Sequence, residues 1–179
     1  MRNIHILRHV GATLLILLTS LAAAQQATSY VLEPGDQVAI SVFGEPDLSV
    51  AFTISDQGAL NYPLLGEIRV AGLTIPELEK RITDGLRGDY LINPDVTVSI
   101  EQYRQFFLRG EINRPGGYPY QPGLTLEKAL ALAGGLTPRA ARNKIEVKRA
   151  RYQSDVAVKI KMSDPVFAGD VITVPQSFF

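Results

Sequence analysis

The side chains best suited to acid–base chemistry in this chain are carboxylates, and Glu33, Asp36, Glu45 and Asp47 lie close together in sequence. Two carboxyls about 5–10 Å apart across a cleft are the apparatus of glycoside hydrolysis. Here, however, Glu33 and Asp36 flank Pro34-Gly35, and Glu45 and Asp47 flank Pro46. Acidic residues beside such corners commonly make local hydrogen bonds or face solvent. The four are read as turn and surface residues, and no catalytic residue is expected.

What is missing prunes other chemistries. The chain has no Cys and no Trp, and its only histidines are His5 and His9. Both lie in residues 1–24, which read as a secretory signal segment, with an uncleaved N-terminal anchor as the alternative. Arg2 and Arg8 flank its start, residues 10–21 are apolar, and Ala22-Ala23-Ala24 offers small residues for cleavage before Gln25. The apolar run falls short of the roughly 20 residues of a spanning helix. No Cys follows the small residues, so no lipid is expected there. Without that segment the chain can form neither a Ser-His-Asp nor a Cys-His site, nor a zinc site of the usual His/Cys kind. No disulfide is possible, so packing must supply the stability. No metal or cofactor is expected. Gly110-Glu111 and Gly134-Gly135 lack the spacing of a phosphate loop.

A basic stretch remains: Arg139, Arg142, Lys144, Lys148, Arg149 and Arg151, broken by Glu146. It has two readings. It faces an anionic ligand or acidic partner, or it is the solvated face of a strand pair. Removing Arg2 and Arg8 from the 18 bases leaves 16 against 18 acids, a net charge of about −2. Nucleic acid is therefore not an expected partner. Tyr103, Tyr118 and Tyr120 could present rings to sugars, or pack with their hydroxyls wet.

The elements that must position these residues are short. Pro34-Gly35-Asp36 reads as a type II turn, feeding a strand over 37–43 in which Val38, Ile40 and Val42 alternate with polar or small neighbours. A second corner follows at residues 44–47. Further strands are expected at 51–55, 59–62 and 66–70, with Pro63 and Gly66 marking a bend. Thr74 and Glu77 have capping-box spacing, starting a helix whose apolar face is Leu78, Ile82 and Leu86 and which Gly88 ends. A strand at 95–101 closes this half.

A second unit begins near residue 104. It has a strand at 106–110, a turn at Arg114-Pro115-Gly116-Gly117, and a short extended run at 118–120. Thr125 caps a helix with Leu126, Ala129, Leu130 and Ala133 inward, stopped by Gly134-Gly135. Strands are expected at 144–148, 156–160 and 171–174. Gly169-Asp170 before the last strand echoes Gly35-Asp36 before the first, either as a true repeat or as two similar turns. The fold class is α+β: a small sheet domain with one helix over 25–103, then a unit with a β-grasp layout over 104–179. Strands grouped before each helix argue against a doubly wound sheet.

Read together, these blocks resemble the polysaccharide biosynthesis/export proteins of Gram-negative bacteria. Residues 30–43, Y-x-L-x-P-G-D-x-V-x-I-x-V-F, with Glu45-Pro46-Asp47-Leu48, are similar to the opening of their export domain. Residues 62–66 with 70–74, and then 90–96, resemble its second and third blocks. Arg109-Gly110-Glu111, residues 114–118, Thr125-Leu126, residues 133–137 and Gly169-Asp170 resemble one SLBB unit, a soluble-ligand-binding β-grasp module. The resemblance implies a non-catalytic periplasmic component of capsular or exopolysaccharide export. That component would be secreted across the inner membrane to the periplasm, associate with the outer membrane, and form a homo-oligomer. Its implied partners are the polysaccharide, an inner-membrane copolymerase and an outer-membrane pore protein. Longer members carry a C-terminal pore helix and further SLBB units; this sequence stops after its last strand, so a separate pore protein is expected. The rival reading is a monomeric periplasmic β-grasp module for a soluble sugar or small ligand, and an enzyme comes third.

Overall fold

Alternation sets the first strand. In β1 (Gln37–Val42), Val38, Ile40 and Val42 are buried and the residues between them are not. The computed structural model describes residues 30–149 and 156–177; the expected signal segment and Arg151 lie outside them. β1 runs between β2 (Val50–Thr53) and β5 (Val96–Gln102), antiparallel to both. β3 (Ala59–Tyr62) and β4 (Gly66–Arg69) form a separate hairpin. The helix α1 (Ile75–Leu86) begins as the sequence predicts, with the backbone N–H of Thr74 donating to Glu77 Oε2 at 2.7 Å. It buries Leu78, Ile82 and Leu86. Glu79 reaches from this helix to accept the N–H of Val98 at 2.9 Å, filling an edge donor of β5 that would otherwise be open to another strand.

The second half is a five-stranded sheet in the order β7 (Gly116–Tyr118), β6 (Phe106–Gly110), β10 (Val171–Val174), β8 (Glu146–Lys148), β9 (Val158–Lys159). The central pair, β6 and β10, is parallel; the other pairs are antiparallel. A hairpin, then the helix α2 (Leu126–Leu132), then a last strand returning beside the first is the β-grasp arrangement. The helix buries Leu126, Ala129 and Leu130 against Phe106, Val147 and Ile172 of the sheet. Gly135 N–H bonds the Leu130 carbonyl and Gly134 N–H that of Ala131, the paired bonds of a Schellman end. Arg114 and Asn113 supply side-chain donors to the carbonyls of Leu132 and Gly134, both at 2.7 Å.

The echo between the two Gly-Asp turns is the same device built twice. At residues 33–36 the Asp36 N–H bonds the Glu33 carbonyl at 3.2 Å, and the Glu33 N–H returns to Asp36 Oδ2 at 2.9 Å. At residues 167–170 the same two bonds join Asp170 and Phe167 at 3.2 and 3.0 Å. Gly35 and Gly169 stand at φ +90° and +81°, as the third position of a type II turn requires. Each turn launches the middle strand of its sheet, β1 or β10. Asp36 and Asp170 are the buried charged residues among those described, at 0 % and 1 % exposure. This corrects the reading of Asp36 as a surface residue. Its Oδ1 accepts the Arg104 N–H at 2.8 Å and its Oδ2 pairs with the Arg104 guanidinium at 3.0 Å. The first turn thereby holds the chain where it passes between the halves, which belong to one unit, Val31–Phe179.

Other expectations shift by local physics. Pro46–Leu48 is a 3-10 turn rather than a simple corner, because the Ser49 hydroxyl ties back to the Glu45 carbonyl and accepts the Val42 N–H, both at 3.0 Å. Residues 142–144 also wind into a 3-10 turn, so the strand expected from 144 starts at Glu146. The strand expected at 156–160 shortens to Val158–Lys159 on the sheet edge. Gly116 and Gly117, expected in a turn, pair with Leu108 and Phe107 as β7.

Two stability outcomes follow. A Cβ at Gly110 would meet the Val174 carbonyl oxygen at 2.0 Å, on a residue at φ +93°, whereas one at Gly66 would meet nothing within 4 Å. Gly110→Ala is expected to cost about 3 kcal/mol or more in urea unfolding, and Gly66→Ala only about 1 kcal/mol of backbone strain. Asp36→Ala removes the carboxylate that pairs with the Arg104 guanidinium and accepts the Glu33 N–H, and a loss of roughly 3–5 kcal/mol is expected. A wild-type unfolding midpoint for Asp36→Ala would show that the pair is not structural.

Candidate functional site

The two turns that carry the candidate carboxylates stand at opposite ends of β1. Asp36 is occupied by Arg104, and Glu45 lies beyond the far end of β1, a six-residue strand about 20 Å long. That exceeds the separation glycoside hydrolysis uses. Among the described residues no group of His, Asp and Glu could hold a metal ion. No described helix is long and apolar enough to cross a membrane.

The tyrosines pack. Tyr103 and Tyr120 meet edge to face at 5.4 Å, and Tyr118 lies 5.9 Å from Phe106 with its hydroxyl on the Arg114 carbonyl. Of the turn residues, Pro34, Gly35 and Asp36 precede β1; Glu45 and Pro46 lie at the 3-10 turn; Pro63 and Gly66 lie in the β3–β4 hairpin; Gly110 ends β6; Pro115 precedes β7, and Gly116 is its first residue rather than part of a turn; Gly134 and Gly135 follow α2; Gly169 and Asp170 precede β10.

The basic stretch divides. Arg139 pairs with Glu111 at 3.2 Å. Arg149 lies over the Phe167 ring, 4.9 Å from its centre, in cation–π contact. Lys148 sits in β8 and is engaged within the protein. Arg142 and Lys144 are exposed on the 3-10 turn before β8. Arg142 stands where two open cavities meet. One, of about 580 Å³, is lined by Glu127, Leu130, Leu136, Pro138 and Met162 among others. The other, of about 640 Å³, adds Lys159, Lys161 and Asp164, and both contain Arg142 and Met162. Lys159 and Lys161 come from and beyond the edge strand β9 and were outside the stretch singled out in the sequence.

Counting charge by halves would have exposed the contrast. Residues 25–103 hold twelve acids and four bases, a net −8, while 104–179 hold six acids and twelve bases, a net +6. The near-neutral total hides this. On the acidic half, Phe43 and Ile92 are 84 % and 97 % exposed, in neighbouring loops joined by the Phe43 N–H to the Asp95 carbonyl. Large apolar side chains so exposed mark an interaction surface when they gather.

The fold is thus a sheet-and-helix half followed by a single β-grasp half that carries an open, charged groove. Comparison with known proteins gives the family. Residues 24–101 match the polysaccharide biosynthesis/export protein family, and residues 105–158 match the SLBB domain. The chain belongs to the polysaccharide biosynthesis/export family. It is 37 % identical over 89 residues to the exopolysaccharide production protein ExoF of Rhizobium meliloti, covering 48 % of this chain and 21 % of that one. The polysialic acid transport protein KpsD of Escherichia coli is 29 % identical over 131 residues, 71 % of this chain and 24 % of KpsD. The EPS I polysaccharide export outer membrane protein EpsA of Ralstonia nicotianae is 28 % identical over 185 residues, 84 % of this chain and 48 % of EpsA. The chain thus spans between a fifth and a half of these relatives.

Glu111 gives this half a pH dependence. The Thr137 hydroxyl at 2.6 Å, and then Arg139, hold its carboxyl below the usual range. A carboxyl whose folded pKa is depressed adds stability above its unfolded pKa, near 4.5, and loses it as pH falls through the lower folded value. Thermal melts should therefore separate Glu111→Gln from wild type at neutral pH. The two should converge as the medium is taken well below pH 4.5.

Proposed function

We propose that this protein is a non-catalytic part of a polysaccharide export apparatus, secreted to the periplasm and acting near the outer membrane. What carries the reading is the tandem match, export domain then SLBB domain, laid over a fold whose second half offers a groove and whose buried Asp36 is held in an ion pair with Arg104. The names of ExoF, KpsD and EpsA favour polysaccharide as the transported material. Residues 25–103 and 104–179 act as its two working domains, with an inner-membrane copolymerase and an outer-membrane pore protein as partners.

The protein also works as a homo-oligomer on this reading. A net −8 half and a net +6 half favour head-to-tail contact between copies, acidic face to basic face. The exposed Phe43 and Ile92 supply apolar area for such a contact.

Deleting the gene should leave polysaccharide inside the envelope and strip it from the surface; unchanged surface polysaccharide overturns the proposal. Light scattering should show a mass above one subunit that falls as salt is raised from low to high, since screening shortens the reach of exposed charges to a few Å. A single-subunit mass at every protein concentration, with no envelope partner recovered by crosslinking, favours the monomeric sugar-binding module instead.

A further inference from the structure

Unpartnered cations are concentrated in one place. Among the described residues, ten of the fifteen Arg and Lys side chains are committed within the protein. Arg81 bonds the Arg69 carbonyl and Arg114 that of Leu132. Arg109 bonds Thr173, Lys128 the Gly123 carbonyl and Arg149 the Pro165 carbonyl. Lys80, Arg87, Arg104 and Arg139 have carboxylate partners, and Lys148 is also engaged. Five remain without a protein partner for their charged ends: Arg69, Arg142, Lys144, Lys159 and Lys161. Arg142, Lys159 and Lys161 line the double groove, and Lys144 belongs to the same 3-10 turn as Arg142.

The floor between these cations is apolar. Leu130, Leu136, Pro138 and Ala140 line one cavity, Ile160 the other, and Met162 both. The acids are fewer. The Asp164 carboxylate accepts the Lys161 N–H at 2.8 Å, so part of its acceptor capacity is spent locally, and Glu127 stands at the start of α2. Each cavity falls in the range of about 300–1,000 Å³ that holds small ligands, and the shared wall makes them one open track rather than two closed pockets. Open tracks suit chains. An apolar strip packs against the C–H faces of sugar rings, and Arg and Lys heads meet carboxylates.

We propose that this groove, over the C-terminal side of α2 and the turn from β9, binds a segment of an acidic, carboxylate-bearing polysaccharide. Arg142 sits at its midpoint and Lys159 and Lys161 along one arm. The proposal rests on the export reading and narrows it to polyanionic glycans. Arg142 is the pivotal residue, because it alone among the cations borders both cavities and can make a two-pronged contact with a carboxylate.

The test is titration calorimetry of the full chain with a short oligogalacturonate and, in parallel, a neutral malto-oligosaccharide of the same length. The acidic oligomer should bind more tightly by at least about tenfold, and its affinity should fall with added salt. The Arg142→Gln, Lys159→Gln, Lys161→Gln triple variant should lose most of that affinity. Because these side chains hold nothing else in place, its thermal midpoint should stay at the wild-type value, and an Arg81→Gln, Arg87→Gln variant of the other half should bind as wild type. Equal binding of the two sugars, no binding of either, or full affinity in the folded triple variant overturns the proposal. If the gene deletion abolishes export while any of these holds, the groove fails and the export role stands.

Discussion

A carboxylate removed from water must have its charge matched and its lone pairs filled, or it costs several kcal/mol. Asp36 meets that condition with groups that come from two places in the chain. The Glu33 N–H closes its own turn, and the N–H and guanidinium of Arg104 arrive from 68 residues away. Neither set would suffice alone. Without the turn, β1 would lack a fixed starting point; without Arg104, the buried charge would lose its ion pair. The consequence is that the middle strand of the first sheet and the passage into the second half are specified by one side chain. Asp170 repeats the turn before β10, the middle strand of the second sheet. Each half is thus registered from the inside outward, with strands added on both sides of a pinned centre.

Much of this was legible because it is local. Alternation at Val38, Ile40 and Val42, helix spacing at Leu78, Ile82 and Leu86, and Thr and Gly at helix ends each encode structure within a few residues. The β-grasp layout was legible for the same reason: its elements occur in a distinctive order. What stayed hidden depends on pairing across long separations. Pro-Gly-Asp announces a turn, yet nothing near it announces that Asp36 is buried, since that depends on Arg104. Arg149 looked like one more base in a run, and its place over Phe167 follows from how β8 and β10 pair. The 3-10 turns at residues 46–48 and 142–144 were missed because short helical turns carry almost no periodic signal.

The groove shows a different kind of hiding. The sequence grouped bases by adjacency, from residue 139 to residue 151, and the fold regroups them by surface. Arg139 and Arg149 are drawn into internal contacts, while Lys159 and Lys161 join Arg142 from the far side of the hairpin formed by β8 and β9. A charge run is a poor guide to a charged face, because a strand sends successive side chains to opposite sides and an edge hairpin folds the run back on itself.

The opposed charges of the two halves give these separate features a common logic. A protein with −8 on one half and +6 on the other cannot present one uniform field to a polyanion, and it would repel an acidic chain along the first half while drawing it along the second. If copies met acidic face to basic face, part of the positive surface would be covered. The cations left exposed would then be those that no internal or neighbouring acid claims. Among the described residues, none claims Arg142, Lys159 or Lys161. Assembly and ligand binding need not compete for the same bases, since Arg109, Arg114 and Lys128 are also on the basic half but hold local oxygens with part of their donor capacity. The same charge imbalance can therefore serve both contacts, with the fold deciding which bases are stiffly held and which are left to reach for a ligand.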